Sequence, residues 1–103
     1  MGRYERNKGI RAERQVVAIL RELGLDARRV PLSGAAPHFK GDVQIYTKAG
    51  KLLAEVKVRN KGFTNLYRWL DEGAGEILII KQDRRPFLTV MPLDVLARIL
   101  LSL

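Results

Sequence analysis

Asp42, a spacer of twelve residues, and Glu55-Val56-Lys57 hold the densest chemistry in this chain. They sit in Gly41-Asp42-Val43-Gln44-Ile45 and Ala54-Glu55-Val56-Lys57-Val58-Arg59. Two carboxylates and an ammonium among β-branched residues are costly to bury unless they pair or bind a cation. Side chains two apart on a strand share a face. Leu53, Glu55, Lys57 and Arg59 are therefore expected on one face, with Ala54, Val56 and Val58 turned to a core. Asp42, Gln44 and Tyr46 share a face of the preceding strand, and pairing the two strands brings Asp42 beside Glu55. Carboxylates that close repel unless a cation lies between them. Mg²⁺ prefers hard oxygens and takes one or two protein carboxylates, completed by substrate phosphate. Asp42 and Glu55 are the expected ligands of Mg²⁺, or of Mn²⁺ in its place, with the Val56 carbonyl as a third donor. Lys57, on the same face, would reach the attacking water or the phosphate and stabilise charge in the transition state. The competing account is a surface salt bridge of Lys57 with Glu55 or Asp42.

Glu13 is a second anomaly. It stands three, four and seven residues before Val16, Val17 and Leu20, on the apolar face of a helix. Either it reaches solvent at the end of that stripe, or it points along the core edge toward the carboxylates. There it would hold water or a second ion.

The elements that must position these groups follow from periodicity. Residues 9–23 carry Val16, Val17, Leu20 and Leu23 at helical spacing, and Gly24 is the expected stop. Residues 27–31 predict a short strand and residues 32–41 a loop. Strands at 42–47 and 52–58 are joined through Lys48-Ala49-Gly50-Lys51 as a hairpin. A helix over 64–73 has Thr64 as its expected N-cap. The apolar run 76–81 predicts a central strand, 87–91 a further strand, and 93–102 a last helix after Pro92. The order is α-β-β-β-α-β-β-α in one domain, residues 1–103. Phe63, Leu66, Tyr67 and Leu70 form a stripe on the second helix that reads as core, or in part as a face for a second subunit. The apolar residues Val95, Leu96, Ile99, Leu100 and Leu103 are a rival interface.

Composition narrows the class of partner. The chain has 103 residues with 47% hydrophobic content, enough for one small folded domain. Nineteen Lys and Arg against eleven Asp and Glu give a net charge of +8, which suits a polyanion such as nucleic acid. Lys8, Arg11, Arg14, Arg29, Lys40, Arg59 and Lys61 are the candidate phosphate contacts. The absence of cysteine excludes disulfides, zinc–cysteine sites and thiol catalysis. No apolar stretch is long enough for a transmembrane helix, and the N-terminus lacks the apolar core of a signal peptide. A cytoplasmic, DNA-associated protein with no membrane partner and no small-molecule cofactor is expected.

Taken in order, these motifs resemble a family. Asn7-Lys8-Gly9-Ile10-Arg11-Ala12-Glu13-Arg14 is similar to the Lys-Gly-x-x-x-Glu-Arg opening of archaeal-type Holliday junction resolvases, part of the PD-(D/E)xK nuclease superfamily. Gly41-Asp42, the spacer and Glu55-Val56-Lys57 match that family's core motif, with Gly41 where the superfamily has proline. Arg28-Arg29 and Ser33-Gly34 fall where the family has an arginine and a serine–glycine loop. The resemblance covers about residues 5–61. It implies an α/β, restriction-endonuclease-like fold with a mixed central β-sheet flanked by helices. It implies that Glu13, Asp42 and Glu55 organise the metal, that Lys57 is catalytic, and that Arg14, Arg29 and Ser33 contact DNA or assist cleavage. It further implies a homodimer that cuts a four-way junction by paired nicks and leaves 5′-phosphate ends. The alternatives are another nuclease of the superfamily, acting on flaps, nicks or duplex, and a non-catalytic basic DNA-binding module.

Overall fold

A computed structural model describes residues 3–30 and 41–103. The expected Ser33 and Lys40, with the rest of 31–40, lie outside the described residues. The elements are α1 (Arg3–Glu22), β1 (Asp26–Arg29), β2 (Val43–Thr47), β3 (Gly50–Ala54), α2 (Thr64–Glu72), β4 (Leu78–Ile80), β5 (Leu88–Val90) and α3 (Leu93–Leu101). The chain is thus a mixture of helices and small antiparallel sheets. Among the described residues the strands make a three-stranded sheet, β1-β2-β3, and a two-stranded sheet, β4-β5. The chain divides into two compact units, one of residues 1–58 with 97–103, the other of residues 59–96.

In the first unit α1 packs on β1 and β2. Its inner stripe is Ala12, Val17 and Leu20, all buried, at the spacing that puts residues on one helix face. The helix ends on Gly24, whose φ is +102°. Leu25 N–H donates to the Leu20 carbonyl at 2.9 Å and Gly24 N–H to that of Arg21 at 3.0 Å. This is the pair of bonds of a Schellman ending, which needs a left-handed residue at that point. β1 pairs antiparallel with β2, placing Ala27 opposite Ile45 and Arg29 opposite Val43. Ala27, Val43 and Ile45 are buried together on the face that α1 covers. β2 returns as β3 through Lys48-Ala49, with Thr47 paired to Gly50. Gly50 takes the expected positive φ, +113°, and β3 begins there, two residues before the expected start at 52.

Leu20 is wholly buried at the centre of this stripe. Leu20→Ala removes its side-chain contacts and leaves a cavity, a change that costs about 3–5 kcal/mol. A domain this size holds about 5–15 kcal/mol in all. The urea midpoint should therefore fall by about a fifth or more with an unchanged m-value; a midpoint near wild type would show the site collapsing around the smaller side chain.

In the second unit, α2 has Phe63 as its N-cap, with Thr64 the first helical residue, and no side-chain cap bond. The expected Thr64 cap is displaced by one position. α2 buries no residue: Tyr67 is 68% exposed and Trp69 43%. Of its apolar stripe, Leu66 and Leu70 are half-buried and Phe63 and Tyr67 are exposed. β4 pairs with β5 alone among the described strands, and Ile79 is 64% exposed. The run 76–81 is thus an exposed short strand, not a central one. α3 begins after Pro92, whose carbonyl accepts from Val95 N–H and Leu96 N–H, and it buries Val95, Ala97 and Leu100. Of the rival interface only Ile99 and Leu103 are substantially exposed.

Candidate nuclease centre

Asp42 is fixed by its neighbours on both sides. Its carbonyl accepts from Val30 N–H at 2.9 Å, and its own N–H donates to the Ala54 carbonyl at 2.7 Å. Its Oδ2 accepts from Val56 N–H at 2.8 Å. The segment after β1, the end of β3 and the segment beyond it therefore converge on one residue, with only Val56 on its carboxylate. Gly41, just before it, has φ +80°. A Cβ there would stand 3.2 Å from the Leu53 Cβ and 3.5 Å from the Ala54 carbonyl oxygen. Proline, fixed near φ −65°, cannot take this conformation, which accounts physically for glycine at the position.

The second motif departs from its expected form. β3 ends at Ala54, opposite Val43, so Glu55 to Arg59 lie outside any strand. If the ladder ran one residue further, Glu55 would face Asp42. Instead Val56 turns its N–H to the Asp42 side chain and becomes the link between the two motifs. Glu55 and Lys57 form an ion pair at 3.3 Å, with their side chains 56% and 57% exposed. The surface salt bridge weighed from the sequence is thus present, and burial cost does not explain these charges. Val58, expected in a core, is 38% exposed.

Glu13 does not take the solvent-reaching course. Its side chain is only 11% exposed, and Oε1 accepts from Arg29 Nε at 3.1 Å. The pairing follows from two periodicities. Glu13 is on the inner face of α1, and Arg29 shares its sheet face with Ala27, which α1 covers. Arg28, one residue back, points the other way and lies over the Tyr46 ring at 5.3 Å. A partly buried carboxylate needs such a partner. Among the described residues no three acidic side chains gather into a group able to hold a metal ion. The structure brings Asp42 to Val56, Glu55 to Lys57, and Glu13 to Arg29.

Of the remaining candidates, Arg11 and Arg14 are exposed and Lys8 is half-buried, all on α1. Arg59 and Lys61 are exposed in the second unit. One residue absent from the sequence expectations is Arg21. It lies seven residues after Arg14 on α1, donates from Nε to the Ala27 carbonyl at 3.0 Å, and lines a depression of about 370 Å³ with Arg14, Val17, Ala18 and Arg29. The available signal was its spacing of two helical turns from Arg14.

The donor chemistry of the Asp42 region fits a hard divalent cation. It offers two carboxylates, Asp42 and Glu55, and the Val56 carbonyl, with one carboxylate anchored by a backbone bond. Mg²⁺ does not need a protein cage of three acids, because substrate oxygens and water complete its shell. A family model described as archaeal Holliday junction resolvase matches residues 4–96. No curated protein and no solved structure matches the chain.

Proposed function

The chain belongs to the archaeal Holliday junction resolvase family, and on that premise we propose that it is a Mg²⁺-dependent endonuclease resolving four-way DNA junctions by paired nicks. Family membership implies an endonuclease acting on branched DNA in recombination and repair. The finer reading rests on one observation: the Asp42 carboxylate is tied to the Glu55-Val56-Lys57 segment by the Val56 N–H. Asp42 and Glu55, with the Val56 carbonyl, would hold Mg²⁺ or Mn²⁺. The bound cation supplies Lewis-acid polarisation of the phosphoryl oxygen and lowers the pKa of an attacking water. Asp42 holds its place through three backbone bonds. Lys57 brings an ammonium beside the Glu55 carboxylate, where it stabilises charge developing on the phosphate. Glu13 is the third acid of the set, held by Arg29, and Arg14 contacts the DNA backbone. Lys8, Arg11, Lys40, Arg59 and Lys61 add phosphate contacts, and Ser33 belongs to the same set by family resemblance. The products are 5′-phosphate and 3′-hydroxyl ends.

The enzyme acts inside the cell, on DNA, as a homodimer with a restriction-endonuclease-like fold. Two equivalent strands must be cut in a four-way junction, and a two-fold pair of sites matches that symmetry. The exposed Phe63 and Tyr67 of the α2 stripe support a subunit contact there. The test compares four-way, flap and linear DNA, each with Mg²⁺ and with EDTA. Symmetric Mg²⁺-dependent nicks near the branch, absent from linear DNA, are expected. Preferential cutting of flaps or duplex would replace the substrate, and no nicking on any substrate would leave a binding module.

A further inference from the structure

The depression between α1 and β1 has features that the Asp42 centre does not use. Arg14, Val17, Ala18 and Arg21 follow at helical spacing and form one wall and the floor. Arg29 enters from β1. Arg14 and Arg21 are two turns apart on α1, about 10 Å along the axis. Arg21 and Arg29 are each held by a bond at the inner nitrogen, Arg21 to the Ala27 carbonyl at 3.0 Å and Arg29 to Glu13 at 3.1 Å. A guanidinium has five donors in a rigid fork. A bond at Nε fixes the plane of that fork and leaves outer donors for an oxyanion. Arg14, Arg21 and Arg29 all line the groove, so it is cationic, and Val17 and Ala18 complete its lining.

We propose that this groove binds a backbone phosphate of the DNA and that Arg21 is a DNA-contacting residue alongside Arg14 and Arg29. The proposal rests on the reading of the chain as a junction endonuclease. It gives the DNA strand a direction, along the α1 stripe from Arg14 to Arg21. The contact is to the backbone, so it adds affinity without reading sequence or branch shape. A purely structural Arg21 would instead only tie the end of α1 to β1.

The experiment is a salt titration of binding, in EDTA, of labelled four-way junction and of plain duplex. Wild type, Arg21→Gln and Arg21→Lys are compared. Gln keeps a donor for the Ala27 carbonyl and removes the charge; Lys keeps the charge and loses the fork. Arg21→Gln is expected to weaken binding severalfold on both DNAs and to flatten the log–log salt slope by about 0.9, the contribution of one phosphate on B-DNA. Arg21→Lys should restore most of that slope. An Arg21→Gln slope equal to wild type overturns the proposal, whatever happens to its melting temperature. Wild type that fails to bind the junction overturns the functional reading itself, a separate outcome.

Discussion

Asp42→Asn is expected to lower junction cleavage by about a thousandfold or more. A metal ion contributes several kcal/mol of transition-state charge stabilisation, and each 1.36 kcal/mol is a factor of ten in rate. The substitution is chosen because it leaves the local structure intact. Asn keeps a side-chain oxygen to accept the Val56 N–H now bound by Oδ2. The backbone bonds to Val30 and Ala54 do not depend on the side chain. Folding stability should therefore stay close to wild type. Junction affinity in EDTA should hold or rise slightly, since one negative charge facing a polyanion is removed. Single-turnover cleavage in Mg²⁺ and anisotropy in EDTA measure the two effects separately. Retained cleavage would remove Asp42 from the mechanism; lost cleavage with lost binding would point to a damaged fold.

The sequence was most readable where a local rule suffices. α1 is visible in Val16, Val17, Leu20 and Leu23, and its end in Gly24, because only glycine adopts φ +102° cheaply. Its first turns were not legible: Arg3 to Lys8 carry no apolar period, so nothing marks them as helical. The hairpin showed in its alternation and in Gly50. The strand after it was overextended for a physical reason. Val56 and Val58 continue the period of two, but a strand also needs a partner, and β2 begins only at Val43, opposite Ala54. Periodicity cannot report that a partner has ended. The same limit made Ile77 to Ile80 look central, when β4 pairs only with β5 among the described strands.

The candidate site divides in the same way. Asp42, Glu55 and Lys57 were legible as types at a spacing, and the register of β2 on β3 brings their segments together. Their exposure was not legible, so the burial cost assigned to Glu55 and Lys57 was misplaced. The partner of Glu13 is sixteen residues away in sequence. It could be found only once α1 lay on the face that Arg29 shares with Ala27. The spacing of Arg21 from Arg14 gains meaning only with the groove that both line, because a basic helix holds many arginines.

Lys57→Met is expected to slow cleavage by about a hundred- to a thousandfold, the usual loss when one preorganised donor to developing charge is removed. Methionine keeps an unbranched stem of similar length and deletes the ammonium. The Lys57–Glu55 pair is more than half exposed at both ends, and exposed pairs contribute within about 1 kcal/mol. The urea midpoint should therefore scarcely move. That separation carries the inference: a residue whose only role is a surface salt bridge loses little when it is removed, in stability or in rate. Lys57→Arg keeps the charge on a wider, planar head and should recover part of the rate. Binding in EDTA should weaken only slightly for Lys57→Met, so the loss should fall on the single-turnover rate at saturating enzyme and not on affinity. Cleavage by Lys57→Met at the wild-type rate would leave Lys57 as the partner of Glu55 and nothing more, and the ammonium at the phosphate would have to come from another residue.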